Sequence, residues 1–247
     1  MSDALDCRVF PDASAAAAAC AAYVIDKLED AISCRGYATL ALSGGSSPRL
    51  MLETLAAARF AWDRVRFFWV DERAVPPADP QSNYRLAAET LLLPAAVPQK
   101  NIHRIQGELM PEAAARAYAD EIRAFFGTEP GQMPQFDLMH RGMGAEGHTA
   151  SLFPGEPLIE DREGIAAAVR VPAGPHDRIT LLPGPLLHAR HAAMLVTGAD
   201  KAEALRAALE GPFEPLRFPV QLGTRNNGFA TWFLDRAAAR LLDEGAE

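Results

Sequence analysis

The chain has 247 residues, of which 49% are hydrophobic and 23% charged, an ordinary globular composition in a chain long enough to bury its own core. Its 24 basic and 32 acidic residues leave a formal charge of −8. That balance argues against a general nucleic-acid or anionic-membrane binder, but a local basic pocket remains open because screening confines charge effects to about 8 Å at physiological salt.

Three cysteines, Cys7, Cys20 and Cys34, show no paired spacing, as expected of a reduced, cytoplasmic chain. No run of about 18 apolar residues suggests a membrane span. Residues 1–6 carry two acids and no base, unlike a signal peptide.

The elements follow in chain order. An Ala-rich stretch at 13–33, capped by Asp12, reads as a helix. An apolar strand at 39–42 leads into a helix at 48–58, and a strand at 65–70 precedes helices at 83–92 and 111–126. Strands at 136–139, 179–182 and 193–197 follow, then a helix at 201–209, a strand at 231–234 and a helix at 236–242. This alternation predicts an α/β fold with a mainly parallel sheet flanked by helices. Several strands do not alternate in polarity, so burial on both faces is expected. We read 1–247 as one continuous α/β domain, with the excursions near 76–101 and 154–174 as the places for a small lobe. Gly127–Pro134 and Val171–Pro175 read as surface connections.

Ligands of open α/β sheets bind at the carboxyl ends of strands, so the residues after each strand carry the functional reading. Leu42-Ser43-Gly44-Gly45-Ser46-Ser47-Pro48 has two turn-permitting glycines, hydroxyls and a proline suited to a first helical turn. It suits either a plain strand–helix turn or an anion site at a helix start. Asp71-Glu72-Arg73 puts three charges at a strand end, where Asp71 and Arg73 either pair or orient a substrate. Ser82-Asn83 suits the start of the next helix.

Gly142-Met143-Gly144-Ala145-Glu146-Gly147-His148-Thr149 brackets an imidazole with glycines. Such a His is either structural or a general base, with Glu146 near enough to hold its tautomer. Arg178 and Lys201 each place a cation at a strand boundary, as surface charges or as part of an anion pocket. His188 and His191 lack the further ligands of a zinc set, Ser43 and Ser151 lack a GxSxG elbow, and Trp62, Trp69 and Trp232 read as core or interface aromatics.

Taken together, these segments resemble the 6-phosphogluconolactonases, lactone-hydrolysing enzymes of the pentose phosphate pathway. The resemblance runs from about residue 40 to about residue 240. It rests on the Ser43–Ser47 loop, Asp71-Glu72-Arg73 with Ser82-Asn83, and Gly147-His148-Thr149-Ala150-Ser151-Leu152-Phe153-Pro154-Gly155. Arg178-Ile179-Thr180-Leu181, Gly198-Ala199-Asp200-Lys201-Ala202 and Trp232-Phe233-Leu234-Asp235 complete it.

The resemblance implies a Rossmann-like fold related to the sugar-phosphate isomerases and deaminases, with no cofactor and no metal. It makes His148 the base that activates water against a sugar-phosphate lactone, and Asp71 and Arg73 orienting groups. It places the phosphate near Ser43, Gly44, Gly45, Ser46, Ser47, Arg178 and Lys201, with Asn83, Gly144, Glu146 and Gly147 in support. It implies no nucleic-acid or membrane partner, and a monomer or homodimer.

The related glucosamine-6-phosphate deaminases continue differently after the His, towards a glutamate this chain lacks there, so a deaminase is the weaker alternative. A non-catalytic sugar-phosphate sensor is the other, and no helix-turn-helix supports it. Three departures stand out: Glu146 where the family has Asp, His140 and Arg141 before the glycines, and Ser47 for Thr. Arg141 either adds a cation to the site or faces solvent.

Overall fold

The computed structural model describes residues 5–129, 131–171, 176–224 and 229–243. Asp12 accepts the Ala15 N–H at 2.8 Å and starts α1, Ala13–Arg35, which ends where Gly36 turns left-handed at φ 82°. The small side chains of α1 at Ala16, Ala17, Cys20 and Ala21 are buried, and the helix packs across β8 (His191–Val196) and β9 (Ala230–Asp235). α4, Pro111–Phe126, begins on a proline and ends at left-handed Gly127.

Six parallel strands form the main sheet in the order β1-β9-β8-β5-β2-β3. Here β1 is Asp6–Phe10, β2 Ala38–Leu42, β3 Val65–Trp69 and β5 Leu138–Arg141. Every residue of β2 and β9 is buried, as their unbroken apolar runs predict. β2 continues outward to β3, whereas β5 continues the opposite way to β8. The switch point, where such sheets hold ligands, therefore lies between the carboxyl ends of β2 and β5.

A second, antiparallel sheet is ordered β4-β7-β6, with β4 Asp71–Arg73, β6 Ala166–Val169 and β7 Arg178–Leu181. It hangs from the end of β3, where the Leu181 N–H donates to the Val70 carbonyl at 2.8 Å. α4 packs over β6 and β7.

The structure differs from the sequence expectations at several elements. β1, β4, β6 and a short helix α5, Pro183–His188, were not foreseen. The strand expected at 136–139 starts at Leu138, because Asp137 is a polar staple. Its N–H donates to Thr39 Oγ1, and its carboxylate accepts the Thr39 N–H at 2.9 Å. The helix expected at 48–58 begins earlier, as α2, Ser46–Ala57. The one expected at 83–92 splits into α3, Asn83–Ala87, and a π turn, Ala88–Leu92. Lys201 closes a 3-10 turn before α6, Ala202–Glu210. The final helix, α7, is shorter than expected, Arg236–Ala239.

Trp62, Trp69 and Trp232 are core residues, and the three cysteines are free. Most of the connection read at 171–175 lies outside the described residues. Among those described, no helix is long and apolar enough to cross a membrane.

Candidate active site

At the switch point an open cavity of about 220 Å³ is lined by eighteen of the described residues, among them the eleven expected residues Ser43, Gly44, Gly45, Ser47, Asp71, Arg73, Asn83, Gly144, His148, Arg178 and Lys201. The other seven, Pro48, Gly142, Met143, Ala150, Leu195, Val196 and Thr197, were not expected there. Glu146 and Gly147 stand behind the wall rather than in it, and the Ser46 side chain lies outside what is described.

The loop after β2 makes one wall. The buried Ser43 hydroxyl donates to the His140 carbonyl at 3.1 Å and ties β2 to β5. Gly45, at φ 119°, turns the chain into α2 without a side-chain cap, so the helix start opens on the cavity with N–H groups available to an anion. Gly44 is constrained by its neighbour, since a Cβ there would overlap the Asn83 amide oxygen. Ser47 Oγ lies 2.7 Å from Thr197 Oγ1, and Thr197, directly after β8, also lines the cavity.

The small sheet supplies the second wall. Glu72 points away from the cavity and accepts from the backbone N–H groups of Arg73, Asn83 and Tyr84 and from Ser82 Oγ, all within 2.9 Å. Burial pushes its carboxyl up, and those four donors oppose the shift. Asp71 faces the cavity, taking the Ser151 hydroxyl at 2.7 Å and the Asn83 amide at 3.3 Å. Asn83 in turn accepts from Arg73 Nη1 at 2.7 Å.

Arg73 and Arg178 stand opposite each other across β4 and β7. Burial, and then the neighbouring Arg73 charge, lower the Arg178 guanidinium. Among the described residues neither arginine has a carboxylate at ion-pair distance, and the Nε atoms of both are buried without a partner. Two guanidiniums without an ion-pair partner facing one cavity have the charge and donor geometry that an anionic group such as a phosphate needs.

The loop after β5 makes the third wall. The Gly144 N–H donates to the His148 carbonyl, and the Gly147 N–H to the Gly144 carbonyl, both at 3.0 Å. A Cβ on Gly144 would overlap the imidazole. Left-handed Gly147, at φ 88°, packs under Phe218. Glu146 Oε1 sits 3.1 Å from His148 Nδ1, within charge attraction but off the line of a hydrogen bond. Burial would raise the Glu146 carboxyl, yet its own backbone N–H, His148 and Lys201 together hold it below its usual value. The other face of His148 meets Phe153, centroids 4.6 Å apart. Lys201 lies 3.0 Å from Asp200 at the cavity edge.

Arg141 follows neither course expected for it. It is fully buried, donating to the Leu222 carbonyl at 2.7 Å and more weakly to Thr149 Oγ1 at 3.3 Å. Burial lowers it to about 9. Ser151 and Thr197 carry structure at the site that the sequence did not single out. Thr197 is the last residue of the strand expected at 193–197, and Ser151 lies in the block that carries the resemblance but enters the sequence reading only as a discounted hydrolase nucleophile. Among the described residues, no group of three or more His, Cys, Asp or Glu could hold a metal ion.

The comparisons with known proteins show the family and the fold. The family model described as glucosamine-6-phosphate isomerases/6-phosphogluconolactonase matches residues 11–232. The 6-phosphogluconolactonase of Haemophilus influenzae is 38% identical over 207 residues, covering 82% of this chain and 87% of its own. The structure of 6-phosphogluconolactonase from Trypanosoma cruzi superposes with a TM-score of 0.86 at 25% identity, over 98% of each chain. A monomeric glucosamine-6-phosphate deaminase, at 19% identity and TM-score 0.80 over 96% of this chain and 100% of its own, shows the shared fold alone. The chain belongs to the glucosamine-6-phosphate isomerase/6-phosphogluconolactonase family, and its closely matching relatives there are 6-phosphogluconolactonases.

Proposed function

We propose that this cavity hydrolyses 6-phospho-D-glucono-1,5-lactone to 6-phospho-D-gluconate, the second step of the oxidative pentose phosphate pathway. The observation that carries the reading is the convergence of one imidazole, His148, with two unneutralised arginines in a single cavity of a lactonase relative. The phosphate binds at the start of α2 with Arg178 and Lys201. Asp71 and Arg73 orient the sugar, with Asn83 holding both.

His148 takes a proton from a water whose oxygen attacks C1. The tetrahedral oxyanion collapses, the C1–O5 bond breaks, and O5 receives that proton from His148, leaving a free hydroxyl and a carboxylic acid that then loses its remaining proton to solvent as the carboxylate. The N–H groups of Gly144 and Gly147 are already bonded within their loop. With the N–H groups at the start of α2 given to the phosphate, the oxyanion draws on the Arg73 charge.

We take the chain as one α/β domain, supported by a hydrophobic core that runs from Ala16 to Phe233 and includes Ile179 and Leu181 of the small sheet. Its three free cysteines suit the cytoplasm.

Freshly prepared lactone, with product followed by coupled oxidation and the spontaneous rate subtracted, tests the activity. Acceleration well above the blank is expected. A rate equal to the blank with sugar-phosphate binding intact would instead support the sensor reading. Arg178→Ala and Lys201→Ala are expected to raise KM about 10-fold or more with kcat nearly unchanged, provided the phosphate is held equally in ground and transition states. A selective kcat loss would place either cation at the reacting carbonyl.

A further inference from the structure

The cavity draws its groups from two sheets. His148 comes from the loop after β5 of the parallel sheet, whereas Arg73 and Arg178 stand on β4 and β7 of the antiparallel one. Base and phosphate site work together only if the two sheets hold a fixed relation.

Ser151 lies three residues beyond His148 and is completely buried. Its hydroxyl donates to Asp71 Oδ2 at 2.7 Å, the short length of a hydrogen bond to a charged acceptor. Its N–H donates to Thr180 Oγ1 at 3.1 Å. Asp71 and Thr180 face each other in register across β4 and β7. Ser151 thus grips both strands of the small sheet at one rung, with its side chain on one and its main chain on the other. Between His148 and Ser151, Ala150 lines the cavity at φ 52°. A residue with a Cβ enters that left-handed region at a cost and stays only where its surroundings dictate the turn.

We propose that Ser151 is a positioning residue for the hydrolysis: it docks the His148 loop onto the Asp71–Thr180 rung and so sets the reach from the base to the arginines. The proposal rests on the reading of His148 as the base. Ser151 does not itself line the cavity; it acts through Asp71 and through the loop. Without its hydroxyl Arg178 and Lys201 still hold the phosphate, but the base moves. A misplacement of about 1 Å can cost about 10²-fold, so the loss falls on kcat rather than KM.

The test is Ser151→Ala in the full chain, assayed beside wild type, Asp71→Asn, the double variant and His148→Ala. Ser151→Ala is expected to lower kcat about 10–100-fold with KM within about 2-fold. In the Asp71→Asn background the same change should cost less than about 2-fold more. A residue that only fills space would show no such coupling. The proposal is overturned if kcat stays within about 2-fold of wild type, if the loss is equal in both backgrounds, or if KM alone changes.

Should Ser151→Ala fail to fold, Thr180→Val removes the oxygen that takes the Ser151 N–H, and the kcat criterion decides. An active wild type, a dead His148→Ala and an unimpaired Ser151→Ala would refute Ser151 alone. A wild type no faster than the blank would refute the lactonase reading beneath it.

Discussion

His140 and His148 are eight residues apart and bracket the same glycine loop, yet they occupy opposite environments. His140 ends up inside β5, fully buried, with neither ring nitrogen partnered. Burial alone lowers it to about 4, so at neutral pH it is an uncharged space-filler whose carbonyl anchors Ser43. His148 comes out of the loop at the cavity wall, between Glu146 and Phe153. An imidazole does chemistry when the backbone delivers it to the carboxyl end of a strand, and two turns of glycine make that delivery here.

The largest test of the contrast is His148→Ala, expected to lower kcat by about 10²–10⁴. His140→Leu should leave kcat within about 2-fold, the ordinary range for a change that touches no reacting group. Equal losses in the two variants, measured by lactone hydrolysis, would abolish the distinction. Next comes Gly144→Ala, whose added methyl has no room beside the imidazole. Displacing the ring should cost kcat about 10²-fold, and normal turnover would show that the ring's resting position is not the working one. Glu146→Gln keeps the shape but removes the charge beside Nδ1. About a 10-fold fall in kcat is expected, at the lower end of what an orienting partner contributes to acid–base catalysis.

The smallest effect on rate carries the clearest pH signature. An unfolded His titrates near about 6.5, whereas folded His140 titrates at about 4. Between those values the unfolded state binds the extra proton, so stability is complete above about 6.5 and falls as the pH drops towards 4. The full span is worth about 3 kcal/mol at about 1.4 kcal/mol per pH unit. Denaturant unfolding of His140→Leu at pH 7, 5.5 and 4 should show a flatter loss than wild type. An unchanged slope would assign the acid sensitivity to other groups, of which the half-buried His191, lowered chiefly by burial, is one.

The contrast also shows what a sequence displays. β2, β3 and β9 were visible because their apolar runs are buried on both faces, and α1 and α4 because caps and glycines mark their ends. β1 was invisible because it is an edge strand with a largely exposed, charged sequence. β6 was missed because its alanines carry no strand preference. β4 consists of three charged residues that looked like loop, and only the four donors around Glu72 explain why its backbone can be a strand. α5 hides behind two prolines and a glycine.

At the site, the strand-end rule found most of the polar residues that line the cavity. It did not find Ser151, whose importance lies in a contact 80 residues away in the chain, nor the burial of Arg141. Position after a strand is a local property, whereas the partner of a buried hydroxyl is set by tertiary contact.

The facing pair of Arg73 and Arg178 has a further consequence. Like charges directly opposite on neighbouring strands oppose folding, and although the Asp71 and Glu72 charges favour the Arg178 guanidinium, burial and Arg73 outweigh them. Under the proposed function, a bound dianion between the two guanidiniums would relieve that repulsion. A ligand held only by the native state stabilises it by about 2.7 kcal/mol at one hundred times its dissociation constant. If the cavity takes a phosphate as proposed, the melting temperature is expected to rise with added sugar phosphate before any turnover is counted, and an unchanged melting temperature would speak against a phosphate site between these arginines.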